Sequence, residues 1–212
     1  MENIRIKFSK TGRAKYISHL DLNRFFQRCF KRSGVPVWVT EGFNPHIYLN
    51  FLLPLSLGTE SISELCDLKF TEEINHEKAR DMLNAVLPEG FEILEVKNPV
   101  NKPVAITAAR YNLVFEETEK EEISSFLALE KIEILKKTKR KEFMVDLKEE
   151  MTDISRYEDL DRPAFSVTLS ATENRMINPE LIVKAMEEHL GRDVFCRITR
   201  TKILMENGKE FE

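Results

Sequence analysis

Residues 16–58 read YISHLDLNRFFQRCFKRSGVPVWVTEGFNPHIYLNFLLPLSLG. Ser18 fits a helix N-cap, with Asp21 three residues on as the acid of a capping box. Leu22, Phe25, Phe26, Cys29 and Phe30 recur at helical spacing as an apolar stripe, while Asp21, Arg24, Arg28 and Lys31 take the opposite face. Gly34 is placed to end this helix, with Pro36 just beyond. Extended segments follow near 36–40 and 46–53 around the turn Gly42-Phe43-Asn44-Pro45-His46, and Pro54 and Gly58 punctuate what comes next.

Reading outward, Ile4, Ile6 and Phe8 alternate with Arg5, Lys7 and Ser9, the period-two mark of a half-buried strand. After the quoted stretch, 62–70 is extended and Asn75 caps a second helix whose Ala79, Met82, Leu83, Val86 and Leu87 face inward. Pro88 and Gly90 stop it, and Phe91–Val96 supplies a strand. The order is β-α-β-β-α-β, the ferredoxin-like pattern.

A polar link over 98–107, with Asn98, Pro99, Asn101 and Pro103, precedes a second round. Tyr111, Leu113 and Phe115 alternate as a strand, and Ile123, Phe126, Leu127 and Leu129 mark a helix. Segments 131–136 and 142–147 read as paired strands, and the charged run 148–163 as a loop. Phe165, Val167 and Leu169 form another strand. Asn178-Pro179 caps a helix through Leu181, Ile182, Ala185, Met186 and Leu190 to Gly191, before a closing strand over 194–205. The predicted fold is α+β, two ferredoxin-like halves in tandem at 1–97 and 108–212. Element order alone carries the duplication, since no sequence repeat accompanies it.

Charge is distributed unevenly along the chain. Residues 1–50 hold nine Lys or Arg against Glu2, Asp21 and Glu41, a local net of +6 in a chain of −4, which leaves −10 for residues 51–212. Such asymmetry suits a surface that meets a polyanion locally while the protein as a whole has no general attraction to one. Arg24, Arg28 and Lys31 form a ridge at i, i+4 and i+7, suited to tracking phosphates or equally to solvation. Trp38, Phe43 and Tyr48 flank the turn and offer either stacking faces or core. Lys136, Lys137, Lys139, Arg140 and Lys141 form a second basic run resembling a hairpin tip.

Other chemistries find little support. The seven glycines form neither a G-x-G-x-x-G fingerprint nor a P-loop, and His19, His46, His76 and His189 are too scattered for a metal motif. Cys29, Cys66 and Cys196 lie far apart in apolar patterns, as buried thiols of a reducing compartment do. No apolar run approaches a membrane span, and MENIRIKFSK is a strand pattern without a signal-peptide core. The expectation is a cytoplasmic protein without cofactor, metal or membrane contact. His19 is the one candidate for acid–base work. At the start of a helix its imidazolium is disfavoured, which leaves a neutral base near Arg13, Lys15 and Tyr16, or else a structural histidine. His46 can bind phosphate or stack on a base, or bond nearby backbone.

The blocks R-I-K-F-S-K-T-G, Y-I-S-H-L-D-L-N-R-F-F-Q-R, T-E-G-F-N-P-H and L-P-L-S-L-G-T-E-S occur in that order. With K-K-T-K-R-K-E-F-M-V-D-L-K and N-P-E-L-I-V-K-A-M, this succession resembles the radical-SAM-linked domain of unknown function. Members of that family are encoded beside, or fused to, a B12-binding-type radical SAM protein. The resemblance implies a partner role, since the chain has no Cys-x-x-x-Cys-x-x-Cys cluster motif of its own. The S-H-L-D helix and G-F-N-P turn are also similar to the N-terminal half of RAMP-superfamily RNA-processing proteins, which pair two ferredoxin-like folds. That likeness implies His19 as a general base, but the glycine-rich loop near the C-terminus of those proteins is absent here.

Three functions follow as expectations. The first is an accessory RNA-binding protein acting with a radical SAM enzyme on tRNA or rRNA. It contacts RNA through Lys7, Lys15, Arg24, Arg28, Lys31, Phe43, Asn44 and His46. The second is a metal-independent endoribonuclease using His19, and the third a protein–protein adaptor without RNA contact.

Overall fold

The computed structural model describes residues 1–137, 142–159, 162–172 and 175–212. The fold is α+β, and the chain divides into two compact units, Met1–Ala105 with Glu210–Glu212, and Ile106–Lys209.

In the first unit the elements are β1 (Glu2–Lys10), α1 (His19–Ser33), β2 (Asn50–Phe51), β3 (Glu60–Phe70), α2 (His76–Asn84) and β4 (Phe91–Lys97). Strand β1 lies between β3 and β4, antiparallel to both, and β2 pairs antiparallel with β3, so the strand order is β4–β1–β3–β2. Alternation along β1 sends Ile4, Ile6 and Phe8 to one face, where they pack with Leu22, Phe26 and Phe30 of α1 and Ala79 and Leu83 of α2. Arg5 and Lys7 therefore point to the face away from the helices.

Helix α1 begins as its sequence dictates. Ser18 Oγ accepts the Asp21 backbone N–H at 3.2 Å, and Gly34 ends the helix in the left-handed region at φ 73°. The capping box is only half made, because the Asp21 carboxylate takes the Ser18 hydroxyl proton at 2.7 Å instead of the cap backbone N–H. Asn75 caps α2 through Lys78 N at 2.9 Å. Val86 and Leu87, expected inside that helix, come after its end at Asn84. Gly90 is required by close approach, since a Cβ there would lie 2.7 Å from Thr11 O.

The extended run between α1 and β3 is less regular than its composition suggests. Only Asn50–Phe51 is a strand, with single bridges Val37–Phe70 and Val39–Ile47. Pro36, Pro45 and Pro54 have no N–H to give a ladder, so continuous pairing stops at each.

The second unit holds β5 (Ala108–Glu116), α3 (Lys120–Ala128), β6 (Glu133–Lys137), β7 (Glu142–Asp146), α4 (Leu147–Glu150), β8 (Thr152–Asp159), β9 (Arg162–Thr172), β10 (Arg175–Met176), α5 (Glu180–Leu190) and β11 (Phe195–Leu204). Strand β5 lies between β9 and β11, and β8 and β10 pair with β9, all antiparallel. Strands β6 and β7 form a separate hairpin. The run 148–163, read as a loop, instead contains most of α4 and all of β8. Among the described residues strand β8 pairs with β9 alone and exposes residues 152–156, so it needs no apolar alternation to mark it.

Candidate nucleic-acid interface

The basic ridge stands on the outer face of α1. Arg24, Arg28 and Lys31 are exposed, and among the described residues Arg28 and Lys31 have no ion-pair or hydrogen-bond partner. Arg24 meets Asp21 at 3.4 Å with both side chains more than half exposed, a pair that contributes little. Arg13, in the turn preceding α1, is likewise exposed and unpaired.

The Gly-Phe-Asn-Pro-His turn sits beside this ridge because α1 holds it there. Gln27 Nε2 donates to Ile47 O at 2.6 Å, and Gln27 Oε1 accepts from Ile47 N at 2.9 Å. Ile47 itself is buried and Val39 bridges it, so the intervening residues 40–46 project as a loop. Thr40 closes the loop's neck, its N–H donating to His46 O at 2.8 Å and its Oγ1 accepting His46 N at 3.1 Å. At the tip Phe43 is 105% exposed, a ring with nothing packed on it. Asn44 and His46 are exposed beside it.

His46 is oriented by its own loop. Its Nδ1 lies 2.9 Å from Asn44 O, which can only accept, so in the neutral ring Nδ1 carries the proton. Thr40 Oγ1, 3.1 Å from the same nitrogen, shares it as a second acceptor. The Nε2 lone pair is left free to accept from a ligand, and a protonated ring would offer a donor there.

Two expected contact residues stand apart from this surface. Lys7 projects from the other face of β1 and pairs with Glu210 at 2.9 Å. Lys15 is held at 3.6 Å from Glu60, whose Oε1 also accepts Gly12 N at 3.1 Å. The second basic run is out of view in part: Lys139, Arg140 and Lys141 lie outside the described residues, and Lys137 pairs with Glu142 at 3.2 Å.

His19 opens α1, exposed, with the Phe51 ring edge-on 5.5 Å away. Among the described residues no side chain hydrogen-bonds its imidazole. The turn before it is rigid, since the buried Lys10 ammonium donates to Ile17 O at 2.8 Å. Burial pushes the Cys29, Cys66 and Cys196 thiols above their ordinary range, Arg32 opposing the effect at Cys29. Among the described residues no three His, Cys, Asp or Glu side chains gather as a metal site, and no helix is long and apolar enough to cross a membrane.

The ridge and the turn were legible in the sequence, but Gln27, which joins them, was not singled out. Its only signal is a long amide on the flank of an apolar stripe. Lys69 was also missed. Its ammonium lies over the Trp38 ring at 5.2 Å, and Trp38 in turn lies 6.3 Å from Tyr48.

The family described as "Uncharacterized protein conserved in bacteria (DUF2344)" matches residues 3–179. No curated protein matches the chain. Among solved structures, a chain of "Crystal Structure of a Cbf5-Nop10-Gar1 Complex" is similar over 96% of this chain and 50% of its own, at 11% identity and a TM-score of 0.52. The chain thus spans about half the length of that structure's chain, and the likeness is one of fold. "Crystal Structure of an Unknown Protein from Galdieria sulphuraria" aligns over 94% of this chain and 98% of its own, at 12% identity and a TM-score of 0.25.

Proposed function

The chain belongs to the DUF2344 family of uncharacterized bacterial proteins, and we propose that it is an accessory RNA-binding protein that presents tRNA or rRNA to a radical SAM enzyme. The observation that carries the reading is one surface. Unpaired Arg28 and Lys31 on α1 lie beside a loop whose Phe43 is fully exposed, and Gln27 holds helix and loop together. Cations next to a bare aromatic ring suit unpaired nucleotides, with phosphates on the ridge and a base on the ring. The radical SAM partner rests on the ordered sequence blocks alone. The cytoplasm is the proposed location, a compartment that three free cysteines suit.

Each half is read as ferredoxin-like. The order β4–β1–β3–β2 around two helices supports this in the first unit, and β8–β9–β5–β11 in the second. The link at 98–107 remains the proposed boundary between them. Binding without catalysis is favoured by the His19 imidazole, which no side chain hydrogen-bonds among the described residues.

Ultraviolet crosslinking in cells, followed by sequencing of the recovered RNA, would name the substrate. In vitro, the salt dependence of binding to that RNA tests the surface. Arg28→Glu/Lys31→Glu should lower the slope of log affinity against log salt by about two, one for each lost phosphate contact. An unchanged slope, or no RNA recovered with wild type, would move the reading to a protein adaptor whose basic helix faces an acidic partner.

A further inference from the structure

We propose that the first unit also carries a nucleotide-binding cleft on the sheet face away from its helices, which takes one unstacked base of the RNA assigned above and so rests on that reading. The cleft is open, with a volume of about 500 Å³, within the range of small-ligand sites. Strand register builds its floor. Asn3 stands opposite Lys69, and Asp67 stands opposite both Arg5 and Asn50. Tyr48 forms one side, two residues past His46, and the 99–103 segment forms the other.

That far wall is fixed in place. Asn98 Nδ2 donates to Asn3 O at 3.1 Å and Glu2 Oε1 at 2.7 Å, and Asn101 N donates to Glu212 O at 2.8 Å. The Arg5 guanidinium beneath is bidentate to Asp67 at 2.7 and 2.9 Å and donates to Glu212 O at 2.7 Å. It contributes shape and no net charge.

The uncommitted groups define the ligand. Among the described residues the side-chain amides of Asn3 and Asn50 and the Lys102 ammonium have no partner, and the Lys69 ammonium meets only the Trp38 ring. Two amides present donors and acceptors to the edge of a planar heterocycle. Tyr48, 41% exposed, offers the ring on which it stacks. Lys69 and Lys102 add two positive charges that no acid in the cleft cancels, which suits the attached phosphate. A peptide would need unpaired backbone partners instead, and β1, paired with both β3 and β4, has none to give.

The test compares a single-stranded RNA 12-mer with an abasic ribose-phosphate 12-mer of equal charge, by fluorescence anisotropy on the full chain. Wild type should bind the base-bearing strand about tenfold more tightly. Tyr48→Ala and Asn50→Ala should each shrink that preference while leaving abasic affinity unchanged, and Tyr48→Phe should retain it. Because Tyr48 lies at the surface, Tyr48→Ala is expected to fold. Equal binding of both strands by wild type overturns the cleft and leaves the phosphate ridge standing. Preference that persists in both alanine variants also overturns it, by placing the base elsewhere, for instance on Phe43. Failure of both strands to bind sinks both proposals.

Discussion

Gln27 reaches twenty residues along the chain to make a two-bond pair with the backbone of Ile47. A strand neighbour would satisfy these groups in an ordinary sheet, but prolines on either side leave Ile47 with a single bridge partner. Gln27→Leu should therefore strand an N–H and a C=O beside a buried side chain, costing about 2 kcal/mol. Urea denaturation followed by the fluorescence of Trp38, the one tryptophan, reads this loss. Gln27→Glu keeps only the acceptor and should fall between the two. The pair was not legible beforehand because nothing local distinguishes Gln27 from any polar flank residue. Phe43, Asn44 and His46 were legible, since a Gly-Phe-Asn-Pro-His sequence has few ways to fold other than as an exposed turn. The partner of Lys7 was not legible for a related reason. Alternation gives its face, but its partner Glu210 lies at the far end of the sequence.

A periodic apolar stripe with caps made α1 legible, while elements held mainly by polar contacts were missed. Helix α1 has both stripe and caps. Strand β8 has neither, and short α4 owes its start to one carboxylate. Asp146 Oδ1 accepts Ile132 N at 3.0 Å and Lys148 N at 2.9 Å, tying the base of the β6–β7 hairpin to the first turn of α4. The bond from Ile132 is the largest cause holding its carboxyl below the ordinary value of 3.8, followed among favourable causes by that from Lys148. A depressed carboxylate stabilises fully above its unfolded value, and the contribution is lost as pH falls through the folded one. Amide exchange at Ile132 and Lys148, corrected for intrinsic rates, should accelerate relative to β1 as pH falls below 3.8. Exchange that stays parallel to β1 would show that Asp146 does not hold the hairpin.

For the molecule as a whole, two rounds of strand and helix were visible in the pattern of apolar residues, but the route of the final residues was not. Glu210–Glu212 belong with the first unit. Phe211 is 4% exposed, and the Arg5 guanidinium lies 4.5 Å from its ring centroid. A three-residue segment has no periodicity, so no sequence pattern announces such a return. Phe211→Ala should destabilise the first unit by about 3 kcal/mol, the low end for a buried phenylalanine, read again by Trp38 in urea. A change below about 0.5 kcal/mol would mean the tail decorates the unit without supporting it.

That returning tail separates the order in which the units are made from the order in which they are finished. The first unit leaves the ribosome with β1 complete but with the aromatic cover of Arg5 still unsynthesised. Ile106–Lys209 must be translated before Phe211 exists, an interval of roughly 5–20 s at ordinary elongation rates. During that time the Arg5–Asp67 pair stands without its ring and its Glu212 carbonyl. The surroundings of Arg5 are therefore completed only once Phe211 and Glu212 are made.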